Sequence, residues 1–368
     1  MCEVEPSMFV KIRCDQNDCV VEWLIAKIWT DDVRYFGTDK MRKDYEDALS
    51  SKIKVKFLGV PREFVGTEFL QDISKGLCEL KAPEYWMQAA DKFSYLFKDG
   101  LKVRLNVLSI SDEKVLSEEV SDQEYDEAKH LPYRELCGVI SYPASCSKLE
   151  MRYCASLCGR YRMKWGMKQF KVLMRAFEYG YSTRETGVIY SKGLDEHGSN
   201  VIYCFADSGH NVPRSQGCNI TMMNGGCISL VTKKHTISAG STCEDELIEF
   251  CNGVHKVCGF RNMSSEMGMH QDEPTVIYQD NEAAVQIELH RGSLSSRSKH
   301  MQLAVLRSRN KVEDQLVKPV FRRTTEMWAD IGTKALPDKQ FAYLRDKMNG
   351  YALVKKHHPS YMMPDYIT

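Results

Sequence analysis

The sequence predicts an α/β protein whose second half is a mixed sheet with helices packed on it. Three observations carry this. Residues 200–232 hold three strand-like runs in series, the last two joined by Asn224-Gly225-Gly226, residue types that supply the left-handed backbone of a tight hairpin. From about residue 243 onward, helical and strand-like patterns alternate, as in a sheet that acquires helices on its faces. Two apolar, β-branched runs, over 201–206 and 276–279, end in Asp207 and Asp280, where a strand hands its last side chain to a site.

The elements read in order as follows. Residues 8–12 and 20–29 are strands about an Asp15-Gln-Asn-Asp turn, and 33–37 leave as a third. The run over 20–29 is expected to expose an edge. Met41, Tyr45, Ala48 and Leu49 share one face of a helix over 39–51. Residues 54–59 and 64–70 read as short strands and 84–97 as helix. The stretch 109–128 has no strong period and carries Asp112, Glu113, Glu118, Glu119, Asp122, Glu124, Asp126 and Glu127; it reads as an acidic linker. Residues 132–178 are helical. Between Lys148 and Arg175 they present Arg152, Arg160, Arg162, Lys164, Lys168 and Lys171 against the single acid Glu150. A helix over 243–258 turns Leu247, Phe250, Val254 and Val257 inward. Strand 275–279, helices 281–289 and 301–312, strand 316–321 and two terminal helical stretches complete the pattern. The end from Lys355 onward reads as frayed.

Whole-chain numbers bound the possibilities. Across 368 residues, 50 lysines and arginines balance 50 aspartates and glutamates, so net charge points to no polyanionic partner and only the local basic face does. A hydrophobic content of 43% suffices for the cores of two or three domains. Cys137, Cys154, Cys158, Cys204 and Cys251 sit within apolar runs, where a thiol packs as a small hydrophobe, and no cysteine spacing matches structural zinc. No apolar run approaches a membrane span, and the first residues do not read as a signal peptide. The expectation is a reduced intracellular protein, cytoplasmic or nuclear, with no membrane partner.

Four carboxylates stand out: Asp207, Glu244, Asp280 and Asp330. Gathered at one end of a sheet, they offer the hard oxygen ligands that two magnesium ions require, and such a pair clamps the attacking and leaving oxygens of a phosphodiester. Each also has a plainer explanation. Ser241-Thr-Cys-Glu244 is a capping box, Asp280 is a helix N-cap, Asp207 a strand-end turn residue and Asp330 a solvated helical acid. Glu246, two residues past Glu244, is held in reserve.

The order of these motifs resembles the C-terminal part of the Pol polyprotein of copia-type LTR retrotransposons, from about Pro6 to about Leu344. Ile28-Trp-Thr-Asp-Asp32 resembles the Tyr-x-Asp-Asp palm hairpin, and Leu131 to Tyr142 the segment joining thumb to ribonuclease H. Ser241-Thr-Cys-Glu-Asp-Glu246 is similar to a Ser-Thr-Glu-Ala-Glu stretch, and Asp280-Asn281 and Ser298-Lys-His300 match the next signatures. Ala329-Asp-Ile-Gly-Thr-Lys-Ala-Leu-Pro337 resembles Ala-Asp-Ile-x-Thr-Lys-x-Leu-Pro, the most specific of them. Departures mark a diverged copy: Trp29 replaces a tyrosine, Ser208 to Arg214 is shorter and less acidic, and Ser147-Lys-Leu-Glu150 replaces Thr-Arg-Pro-Asp.

The resemblance implies an α+β palm and thumb remnant over 1–108, the acidic linker over 109–131, a helical connection over 132–198, a ribonuclease H-like mixed sheet over 199–349 and a tail over 350–368. It also implies that the chain starts beyond the first palm aspartate. Asp31 and Asp32 are then vestigial polymerase residues, and reverse transcription is not expected of this chain. The implied activity is two-metal hydrolysis of the RNA strand of an RNA–DNA hybrid, with Mg2+, or Mn2+ in its place, held by Asp207, Glu244, Asp280 and Asp330. His300 would shuttle protons and Lys299 would contact phosphate. Arg160, Arg162, Lys164 and Lys168, interleaved with aromatic residues, would track a nucleic-acid backbone. The remainder of a Pol polyprotein is a further implied partner. The rival expectations are a catalytically dead relic and a nucleic-acid-binding module built on the basic face.

Overall fold

The computed structural model describes residues 2–17, 19–210, 214–289, 301–359 and 361. β1 (Met8–Cys14), β2 (Val20–Trp29) and β3 (Asp32–Gly37) form an antiparallel sheet with β2 in the middle. The period of two turns Leu24 and Ala26 of β2 into burial on the side where α1 (Asp39–Ser50) packs. The edge expected over 20–29 is therefore absent, because β1 and β3 take up its backbone groups.

β4 (Glu63–Phe64), β5 (Thr67–Asp72) and β6 (Leu77–Lys81) follow. Val65 and Gly66, both at positive φ, break the single strand expected over 64–70 into a hairpin. Residues 54–59 form no strand. A helical layer comes next: α2 (Pro83–Lys92), α3 (Ile110–Val115), α4 (Asp122–Ala128), α5 (Tyr133–Ser141), α6 (Pro143–Cys146), α7 (Arg152–Gly159) and α8 (Met167–Ser182). The acidic stretch is thus two helices and not a linker. Ser109 and Ser121 each accept the backbone N–H of the third helical residue, while Asp112 and Glu124 accept from the caps in return. Leu116 and Ala128 are buried, so the segment is docked. β7 (Val188–Ser191), unforeseen in the sequence, pairs with β6 and closes the four-stranded sheet β4-β5-β6-β7.

The second half is built on β8 (Tyr203–Gly209), β9 (Gln216–Met223) and β10 (Gly226–Lys234), then α9 (Thr242–Glu266), β11 (Thr275–Gln279), α10 (Glu282–Glu288), α11 (Gln302–Glu313), β12 (Val317–Phe321), α12 (Asp338–Met348) and α13 (Tyr351–His357). The Asn224-Gly225 turn has φ of 53° and 77°, the double left-handed geometry that matches strand twist. The sheet runs β10-β9-β8-β11-β12, antiparallel across its first three strands and parallel across β8, β11 and β12. This is the mixed sheet with packed helices that the hydrophobic pattern predicted.

Alternation along β8 divides the packing. Cys204 and Ala206 meet Phe250, Val254 and Val257 of α9 on one face. Tyr203 and Phe205 enter a core on the other face that continues through Trp86, Leu136, Phe177, Phe341 and Met348. That one core crosses the expected boundaries at 131 and 198. The expected tail is corrected as well: α13 buries Tyr351 and Val354, and Tyr351 Oη accepts the Gly187 N–H at 2.7 Å and donates to Glu79 Oε1 at 2.5 Å. No helix of the described residues is long and apolar enough to cross a membrane.

Candidate metal centre

β8 and β11 are parallel neighbours with Ile277 beside Cys204 and Tyr278 beside Phe205. Continuing that register by two residues brings Asp280 level with Asp207 at the carboxyl ends of the strands. α9 crosses the sheet on its other face and delivers Glu246 from its first turns. Asp207, Glu246 and Asp280 each offer a carboxylate oxygen, all within 4.8 Å of one another. Among the described residues this is the group of three or more His, Cys, Asp or Glu side chains able to share an ion.

Neutral donors hold each member. Thr333 Oγ1 donates to Asp207 Oδ2 at 2.7 Å, and Thr324 Oγ1 donates to Asp280 Oδ2 at 2.8 Å. The Ser208 N–H donates to Glu246 Oε1 at 3.3 Å, while Gln279 Nε2 reaches the Glu246 carbonyl at 2.6 Å and its Oε2 at 3.3 Å. Asp330 lies in a one-turn 3-10 helix, Trp328–Gly332, with Lys334 Nζ 2.7 Å from its Oδ1. That turn packs hard against the sheet: a side chain at Gly332 would collide with Cys218 Sγ, and Thr232 Oγ1 donates to the Gly332 carbonyl at 2.6 Å.

Burial and mutual repulsion set the electrostatics. Desolvation first, and then the Asp330 charge, push Asp207 up to about 7. Desolvation, followed by Asp207 and Asp280, pushes Glu246 up to about 10. Burial also raises Asp330, with Lys334 opposing it. A cation is what such a set of desolvated acids calls for. Its donors are all carboxylate oxygens, which suits a hard ion such as Mg2+ or Mn2+ over zinc.

Glu244, expected as a ligand, is turned to a different task. Its Oε2 accepts the Gly240 N–H at 2.6 Å and its own N–H donates to Ser241 Oγ at 3.3 Å, so it serves the start of α9. Two residues on a helix span about 200°, so Glu244 and Glu246 cannot serve one point. The missed signal was Phe250: Glu246 lies four residues before it and shares its inward face. Asp245, between them, is fully buried against Ser215 Oγ (2.6 Å), His210 Nδ1 (2.5 Å) and His235 Nδ1 (3.3 Å). His235 Nε2 meets Glu249 Oε2 at 3.0 Å; burial is the largest single effect and works against the imidazolium charge, but Glu249 and Asp245 together raise its pKa. The network ties the first turns of α9 to the end of β10 and fixes where Glu246 points.

The remaining expected residues fall elsewhere. Asp31 and Asp32 lie at the β2–β3 tip, and neither joins the described cluster. Lys299 and His300 lie outside the described residues. The basic face is largely spent within the chain: Lys164 pairs with Asp122 at 2.7 Å, Lys168 with Glu118 at 3.1 Å and Arg175 with Asp112 at 3.3 Å. Arg162 donates to Ser141 Oγ at 3.0 Å, and Arg160 to Gln216 Oε1 at 2.5 Å.

In sequence the chain is similar to Pol polyproteins of retrotransposons. The retrovirus-related Pol polyprotein from transposon TNT 1-94 of Nicotiana tabacum is 23% identical over 350 residues, 93% of this chain and 25% of that polyprotein. The transposon Ty1-DR5 Gag-Pol polyprotein of Saccharomyces cerevisiae is 21% identical over 232 residues, 62% of this chain and 13% of that one. The chain therefore spans a minor part of the curated relatives it matches, and both agree with a copia-type resemblance. No family model matches. Among solved structures, a foamy viral protease-reverse transcriptase in complex with dsDNA overlaps 81% of this chain and 55% of its own (TM-score 0.36, 12% identity). Ribonuclease H1 of Halobacterium salinarum overlaps 35% of this chain and 89% of its own (TM-score 0.26, 7% identity).

Proposed function

We propose that the chain carries a retroelement ribonuclease H, hydrolysing the RNA strand of RNA–DNA hybrids with Mg2+, or Mn2+ in its place, at Asp207, Glu246 and Asp280. The observation that supports this best is the meeting of these three carboxylates within 4.8 Å at the ends of two parallel strands. A divalent cation held there supplies positive charge to the scissile phosphodiester and to the attacking water. The chain's own part is to orient the three carboxylates through Thr333, Thr324, Ser208 and Gln279, and to keep them dry enough that charge is strongly felt. Recognition would follow the shape and 2′-hydroxyls of the hybrid, not its base sequence. The pairing of Lys164 and Lys168 with the acidic segment over 109–128 speaks against the rival module built on the basic face.

The test is cleavage of labelled RNA–DNA hybrid, single-stranded RNA and duplex DNA in magnesium. Hybrid-selective cutting that Asp280→Asn lowers at least about a hundredfold, the scale of lost transition-state charge stabilisation, is expected. Equal cutting by Asp280→Asn, or none by the folded wild type, would contradict the proposal.

A further inference from the structure

We propose that Lys334 supplies the second positive charge of this centre from within the chain, so that its carboxylates take up one divalent cation and not two. This rests on the metal-centre reading above and goes past it to the ion count.

The turn that carries Asp330 presents three groups at once. Asp330 itself is 1% exposed, Thr333 Oγ1 is bonded to Asp207 Oδ2, and Lys334 Nζ stands 2.7 Å from Asp330 Oδ1. The backbone fixes this arrangement, because the N–H groups of Thr333 and Lys334 both donate to the Asp330 carbonyl, at 3.2 and 3.3 Å. Asp330 is therefore not a fourth member of the cluster sharing 4.8 Å. A second ion bridging Asp207 and Asp330 would meet an ammonium already on one carboxylate and a hydroxyl already on the other. It would also approach a positive charge in a mostly buried site, where repulsion is poorly screened.

Lysine suits the position. Its ammonium is a compact point charge, and its stem runs from the buried turn to a head group that is half exposed, 46% by side chain. Lys334 acts by charge alone, with no proton transferred.

The experiment counts ions on the full chain by titrating Mn2+ and reading free Mn2+ by electron paramagnetic resonance. Wild type and Lys334→Arg are expected to take up one Mn2+ per chain, and Lys334→Met two. Lys334→Gln repeats the count if Lys334→Met loses its melting transition. Two ions on wild type, or one on both neutral variants, would overturn the proposal. Asp280→Asn separates the two levels of inference. If it binds Mn2+ as wild type does, or if no form binds, the metal-centre reading fails as well. If it loses the ion while the neutral variants still bind one, only the role of Lys334 fails.

Discussion

At the scale of residues, Asp207 and Glu246 hold protons that ordinary surface carboxylates would have lost, because burial and neighbouring acids disfavour their charged forms. The sign of the pH dependence follows. A carboxyl group whose folded pKa exceeds its unfolded value binds more protons in the native state, so stability falls as pH rises between the two values. The windows run from the ordinary 3.8 to about 7 for Asp207 and from 4.5 to about 10 for Glu246. In EDTA the melting temperature is therefore expected to fall as pH is raised across the neutral range. Mg2+ should reverse the fall by binding only the folded, deprotonated form, with protons released on binding. Melting curves at several pH values with and without Mg2+ check this, and a metal-free melting temperature that rises with pH would contradict it. The aspartates at two strand ends were legible because apolar runs stop at them. Glu246 was hidden by Glu244, whose Ser-x-x-Glu spacing mimics a ligand motif while fitting a helix start. The Thr333 and Lys334 roles were legible only as letters of a family motif, since nothing local says which carboxylates a turn will meet.

At the scale of elements, hydrophobic period gave the strands and helices that bury a clear face, such as β11 and α9. It misjudged 109–128, where helices of 6 and 7 residues are too short to show a period. The capping boxes were present, at Ser109 with Asp112 and Ser121 with Glu124, and they mark helix starts independently of any periodicity. Ser109→Ala is expected to cost about 1 kcal/mol, the usual worth of such a cap. A urea midpoint lowered at unchanged slope would bear this out; an unmoved midpoint would show the box to be idle. The acids of these helices, read as those of a linker, instead neutralise α8 and the turn before it. Segregated charge in a sequence can therefore mean self-pairing as readily as a polyanion site. β6 and β7 escaped notice because they are short and pair across more than a hundred residues of intervening helix.

At the scale of the whole molecule, one core joins helical layer, mixed sheet and α12, where the sequence divided naturally into remnant, linker, connection and domain. Composition shifts mark such boundaries on the page, but burial decides them, and Trp86, Phe177 and Phe341 sit in a single cluster. Tyr351 is the clearest tie: its hydroxyl serves Gly187 and Glu79, joining α13 to both β6 and the start of β7. Tyr351→Phe would leave a buried N–H and a buried carboxylate without that partner, at a cost of about 1–3 kcal/mol. A denaturation midpoint unchanged in that variant would show α13 to be dispensable to the core.

The centre itself is tested most directly by a pair of isosteric changes on one helix. Hybrid cleavage in Mg2+ would be measured for Glu246→Gln and Glu244→Gln beside wild type, with melting curves to confirm that each is folded. Loss of cutting in Glu246→Gln, with Glu244→Gln cutting at close to the wild-type rate, is the expected result. Loss in Glu244→Gln with activity kept in Glu246→Gln would contradict the three-carboxylate centre.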